Sequence, residues 1–147
     1  MKILFTLLMT ILLINCTSRR PSGTSSIQVV RFSQHPMFVD HHRRLVTVDK
    51  NGGTIDELEM YPDSGSGCDS YLFDSGEEYV LVDCNGQWFR IDKATGKLEK
   101  DEWTWRKELP SAGLGVFKRQ RYDVHYELVT GEKISVNEVY KFKDPNE

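Results

Sequence analysis

The sequence predicts a mostly β protein: an antiparallel meander forming a curled sheet, a sandwich or a small barrel. Three observations predict it. From Cys68 onward, short apolar runs alternate with turn signals. The dipeptide Asn-Gly occurs twice between β-prone runs, at Asn51-Gly52 and Asn85-Gly86, and it is the strongest short-range hairpin signal. No long amphipathic helical pattern occurs, and at most one turn of helix fits near Asp101 to Lys107.

Taken in chain order, the first segment is not part of that domain. Lys2 precedes a run from Ile3 to Ile14 that is apolar apart from Thr6 and Thr10. About twelve residues span roughly 18 Å as a helix, short of the ~30 Å hydrocarbon core of a bilayer. The length suits the apolar region of a signal peptide, which implies export to an oxidising compartment. The run closes on Leu13-Ile14-Asn15-Cys16, and here the chain resembles a bacterial lipoprotein precursor. The resemblance covers the first sixteen residues and describes processing, not fold. It implies cleavage before Cys16 and lipidation of that cysteine. It also implies a bacterial envelope location, with Thr17 fitting sorting to the outer membrane, facing the periplasm. The other reading of the segment is an ordinary secretory signal cut nearby. One acyl chain anchors a protein marginally, whereas two or more anchor it stably.

Residues 16–26 then form a lipidated cysteine and a flexible linker, with Pro21, Gly23 and several Ser and Thr residues. Residues 27–147 are expected to form one β-rich domain. Removing residues 1–15 leaves about 132 of 147 residues, enough for one domain with a real core. It also removes Lys2, which takes the formal charge from −3 to −4. That acidity and the scattered basic residues speak against nucleic-acid binding. The longest basic cluster, Lys118-Arg119-Gln120-Arg121, reads as a solvated strand or turn.

Within the domain the expected strands are Asp69–Phe73, Tyr79–Cys84, Gln87–Asp92 and Leu98–Trp105. A first hairpin turning at Gly76 would set Cys68 opposite Cys84, Leu72 opposite Val80 and Phe73 opposite Tyr79. Opposed residues sit ~4.5–5.5 Å apart, close enough for a disulfide. The Cys68–Cys84 bond leaves Cys16 as the odd cysteine, which lipidation accounts for. A second hairpin at Asn85-Gly86 would oppose Val82 to Phe89 and Val80 to Ile91. Leu72, Val80, Val82, Phe89 and Ile91 would then share a core face. Tyr71, Phe73, Tyr79, Leu81 and Trp88 on the other face are apolar too, so the hairpin should be covered on both sides.

Val46-Thr47-Val48-Asp49-Lys50-Asn51-Gly52 matches Val80 to Gly86 in five of seven positions at an offset of 34. Propeller blades of about forty residues need at least four copies, more than this chain can supply. Two similar hairpins are the simpler reading. Thr54–Met60 should continue the first copy as a strand. Pro110–Gly115 reads as a loop, Tyr122–Val129 and Lys133–Ser135 as a hairpin about Thr130-Gly131-Glu132, and Val139–Phe142 as a final strand.

Catalytic constellations are not found in the sequence. It has no Gly-x-Ser-x-Gly elbow and no His-Glu-x-x-His. Asp40-His41-His42, with His35 near and His125 far along, reads as a polar loop rather than a metal site, because adjacent strand residues point to opposite faces. Asp49-Lys50-Asn51-Gly52 lacks the oxygen ligands of a calcium loop and reads as a turn. Trp103 and Trp105 would share one face of a strand, as core or as a partner-binding pair. The expectation is therefore a non-catalytic, membrane-anchored protein-binding module, without cofactor or metal, that neutralises a toxin or phage factor in one version. The alternatives are an envelope enzyme or small-ligand binder, and a purely structural lipoprotein.

Overall fold

A computed structural model describes residues 26–32, 41–63, 68–101, 108–120 and 124–134. Among these described residues nine strands form two antiparallel sheets. They are β1 (Ser26–Phe32), β2 (His41–Val48), β3 (Thr54–Asp63), β4 (Ser70–Asp74), β5 (Glu78–Asp83), β6 (Trp88–Asp92), β7 (Leu98–Lys100), β8 (Ala112–Arg119) and β9 (Tyr126–Thr130). The first sheet has the order β1-β2-β3 and the second the order β7-β6-β5-β4-β8-β9. The architecture is thus the curled, sandwich-like β fold that the meander pattern predicts.

The two sheets face each other over Val29, Leu45 and Met60 from one side and Leu72, Leu81, Phe89, Ile91, Leu98, Phe117 and Tyr126 from the other. Their edges are stitched at both sides. Thr47 Oγ1 donates to Gly96 O at 2.6 Å, and Leu98 N–H donates to Asp56 Oδ2 at 3.1 Å. Across the other edge Val30 bridges to His125, and Arg31 N–H donates to Val124 O at 2.6 Å. The outer face of the larger sheet is apolar as well, carrying Tyr71, Phe73, Val80, Val82, Trp88 and Val116 against Leu109 and Ile134. The expectation that the central hairpin is covered on both faces is met.

Its register differs from the expected one by a single residue on each side. Leu72 lies opposite Leu81, and Phe73 opposite Val80. Likewise Leu81 lies opposite Phe89, and Val82 opposite Trp88. The turns explain both shifts. Ser75 N–H donates to Glu78 O at 3.0 Å, closing a two-residue loop, Gly76-Glu77, with Gly76 at φ 85° in the first central position. At the other end Asp83 N–H donates to Gln87 O and Gly86 N–H to Asp83 O, each at 2.8 Å. That is a three-residue loop with Gly86 left-handed at φ 76°, not the two-residue Asn-Gly turn. Sliding β5 by one residue against both neighbours turns Leu81, rather than Val80 and Val82, toward Leu72, Phe89 and Ile91.

The Val46 to Gly52 echo is an echo of this same turn. Asp49 N–H donates to Gly53 O at 2.8 Å and Gly52 N–H to Asp49 O at 3.0 Å. The Asp49 carboxylate accepts from Asn51 and Gly53 N–H at 2.7 and 2.9 Å, which makes it a turn stabiliser.

Four other expectations are corrected. Pro110–Gly115 is not wholly a loop, because β8 begins at Ala112 and pairs with both β4 and β9. Its glycines permit close approach. A Cβ on Gly115 would lie 2.6 Å from Val129 O, and one on Gly113 2.9 Å from Ile134 Cδ1. β9 pairs with β8, and Lys133 and Ile134 lie in no strand; Ser135 lies outside the described residues. His41-His42 stands on β2 rather than in a loop, because His42 is paired with Phe32 of β1. The strand β1 itself opens at Ser26, the last residue assigned to the linker. Cys16, Trp103, Trp105, the 102–107 turn and the 139–142 strand lie outside the described residues.

Candidate functional site

Strand direction divides the sandwich into two ends. Ser26 of β1 pairs with Val48, beside the Lys50-Asn51-Gly52 turn, and Gly76-Glu77, Lys93–Gly96 and Gly131 turn at that same end. The opposite end gathers Tyr61 to Asp63, Cys68 to Ser70, the Cys84-Asn85-Gly86 turn, Lys100, Arg119 and Tyr126. Among the described residues, buried Thr47 stands nearer the first end, and the other buried polar side chains, Arg43, Asp63, Ser70, Asp83 and Gln87, stand at this second end.

Arg43 is its centre. Alternation along β2 puts Arg43 on the same face as Leu45 and Thr47, pointing between the sheets, and all three are fully buried. A buried guanidinium needs a counter-charge and a partner for each N–H. Nη1 and Nη2 donate to the two carboxylate oxygens of Asp83 at 2.9 and 2.7 Å. Nε donates to Tyr61 O at 3.0 Å, and Nη1 also reaches Cys68 O at 3.3 Å. Nη2 lies 3.3 Å from Cys68 Sγ. Burial pulls this guanidinium down, but the Asp83 carboxylate outweighs it and holds Arg43 above its ordinary value. Ser70 Oγ donates to Asp83 Oδ1 at 2.8 Å. One side chain from the smaller sheet thereby fixes β3, the start of β4 and the end of β5.

The disulfide reinforces the same corner. Cys68 and Cys84 are joined, with Cα atoms 5.5 Å apart, and Cys84 N–H donates to Asp69 O at 3.0 Å. The two sulfurs and the Asp83 carboxylate lie within 4.8 Å of one another. That trio is not disposed to ligate a cation, since the sulfurs are bonded to each other and the carboxylate oxygens accept from Arg43 and Ser70.

A second buried carboxylate adjoins the first. Tyr126 Oη donates to Asp63 Oδ2 at 3.0 Å, and Arg119 Nη1 lies 3.7 Å from the same oxygen. The Arg43 guanidinium sits 5.9 Å from the Tyr126 ring centre. Burial, with the Asp63 charge adding to it against the opposing pull of Arg43, pushes the Tyr126 hydroxyl up to about 12. It is therefore a firm donor at neutral pH rather than an acid or base.

Around this buried core stands an exposed rim. Tyr61 is 46% exposed although its backbone is held on both sides. Its N–H donates to Oε1 of buried Gln87 at 2.9 Å, and its carbonyl accepts from Arg43. The Lys100 ammonium lies 5.5 Å from the Tyr61 ring centre. Val124, at the head of β9, is 54% exposed.

The sequence-predicted histidine segment does not join this site as a ligand cluster. His42 lies on the outer face of the smaller sheet, stacked on Phe32, with Nδ1 3.2 Å from Glu59 Oε1. His125 is at the β1–β9 bridge. Arg43, Asp63, Gln87 and Tyr61 were missed by sequence reasoning. The available signal was parity: Arg43 alternates with apolar Leu45, and a charge on a core face requires an opposite charge elsewhere. No protein-family model, curated protein or solved structure matches the chain.

Proposed function

We propose that the chain is a lipid-anchored protein of the bacterial envelope whose β domain binds another protein without catalysing a reaction. The anchor rests on the Leu13-Ile14-Asn15-Cys16 box and the apolar run before it. The binding role rests on one observation above others: at one end a buried ion pair, from Arg43 of the smaller sheet to Asp83 of the larger, joins the two sheets beside a disulfide. A disulfide, a bidentate buried ion pair and the Tyr126–Asp63 bond fix the strand ends that carry the exposed rim. Such preorganisation lowers the ordering cost of association and serves a binding surface. Neutralising an incoming toxin or phage factor is the form we favour for a small acidic domain held at the envelope.

Crosslinking the full-length protein in its native membranes, then identifying what co-purifies, tests this reading. The expected result is one protein partner that also binds the purified domain at a fixed ratio. A domain that captures nothing reproducible, or a small molecule in place of a protein, would overturn it. For the neutralising form, deleting the gene should sensitise cells to the factor bound.

A further inference from the structure

We infer that Asn51 is a site of spontaneous covalent modification, at which the side-chain amide is lost as ammonia and a carboxylate takes its place. Asn85, in the same dipeptide and the same turn, is held against it. The site lies in the β2–β3 turn and is independent of the anchor and of any partner.

An Asn-Gly pair is chemically labile because glycine has no side chain to shield its backbone nitrogen. When hydroxide takes the Gly52 N–H proton, that nitrogen attacks Cγ of Asn51, and the new C–N bond closes a cyclic imide. The Asn51 side-chain nitrogen takes a proton from water and leaves as ammonia. Water then opens the ring at either carbonyl, giving aspartate or isoaspartate. Nothing is oxidised or reduced.

Both pairs hold the attacking nitrogen alike. Gly52 N–H donates to Asp49 O at 3.0 Å and Gly86 N–H to Asp83 O at 2.8 Å, with φ of 82° and 76°. What differs is the cost of opening the turn. Lys50 to Thr54 are all exposed, and a Cβ on Gly52 would meet nothing within 4 Å. Asp49 N–H to Gly53 O, with Asn51 and Gly53 N–H to the Asp49 carboxylate, ties this turn to itself. The Asn85 pair is tied to the rest of the molecule on both sides. Before it, Asp83 is paired with Arg43, and Cys84 is bonded to Cys68 and donates its N–H to Asp69 O at 3.0 Å. After it, Gln87 Oε1 accepts from Tyr61 N–H at 2.9 Å. Asn85 itself is half-buried, with Nδ2 3.7 Å from Cys68 Sγ. An exposed turn opens at little cost, whereas a segment fixed by long-range bonds opens only with more of the molecule.

The products alter the β2–β3 turn. Aspartate at position 51 sets a second carboxylate near that of Asp49. Isoaspartate also adds a carbon to the backbone ahead of Gly52, which displaces the Gly52 and Gly53 N–H groups from Asp49. Either product makes the chain more acidic.

The test incubates the full-length protein, disulfide intact, in heavy-oxygen water at neutral and at mildly alkaline pH. Peptides released afterwards in mild acid are weighed, and the label separates conversion during incubation from conversion during digestion. Labelled aspartate and isoaspartate should accumulate at position 51 at least about tenfold faster than at position 85, the factor that ~1.4 kcal/mol of opening supplies. The rate at 51 should be higher at the higher pH. In denaturant with the disulfide reduced, both positions should convert at similar rates. An unlabelled position 51 in the folded protein overturns the site, whatever the denatured chain does. Equal rates in the folded protein, or faster conversion at 85, overturn the protection of Asn85. A difference that persists undiminished in denaturant overturns the fold as its cause.

Discussion

Arg43 shows how one residue can organise an end of the molecule. A guanidinium buried without a carboxylate, or the carboxylate without it, leaves an uncompensated charge, and breaking such a pair costs about 3–5 kcal/mol. Arg43→Met should therefore lower the urea midpoint by that amount of stability. Arg43→Met/Asp83→Leu should recover most of the loss, since an apolar pair of similar volume often replaces an ion pair without cost. Tyr126 makes a pH prediction. Its pKa is raised on folding from the ordinary 10 to about 12, so its contribution is fully present below pH 10. It is lost as pH rises from 10 toward 12. Unfolding followed over that window should show a smaller decline for Tyr126→Phe than for the unaltered protein. Neither residue was legible as important in the sequence. Arg43 stands beside Arg44, and only the sheet geometry shows that one is buried with Leu45 while the other lies 3.3 Å from Glu57 near the surface.

At the scale of elements, strand identity was read more readily than register. β3, β4, β5 and β6 lie within a residue or a few of the runs read from alternation. The pairing of β5 with β4 and β6 was displaced by one residue, because Gly76 and Gly86 serve different loop lengths from those assumed. β8 was hidden because Gly113 and Gly115 look like turn residues, whereas they sit where a Cβ has no room. Gly115→Ala should destabilise the domain by about 1–3 kcal/mol, as small-to-large changes in packed sites do, measured by thermal unfolding. The disulfide was legible despite the register error, since a one-residue offset still leaves the Cα atoms 5.5 Å apart. Replacing both cysteines by serine should cost about 3 kcal/mol in the chain-entropy account for the loop they close. A dithiol reductant should lower the Tm of the unaltered protein toward that of the variant.

For the whole molecule, the fold class and the two-faced core were readable because they follow from alternation and from apolar content on both faces of one hairpin. The candidate site was not, because it is assembled from β2, β3, β5 and β9, which are far apart in sequence. The proposed function joins the Leu13-Ile14-Asn15-Cys16 box to the corner built on Arg43 and Asp83. All of it depends on what becomes of Cys16. The intact mass of the protein extracted from membranes tests this most directly. The account predicts the mass of residues 16–147 plus several acyl groups, less two hydrogens for the Cys68–Cys84 bond. A mass showing no lipid, with residues 1–15 still attached, would contradict it.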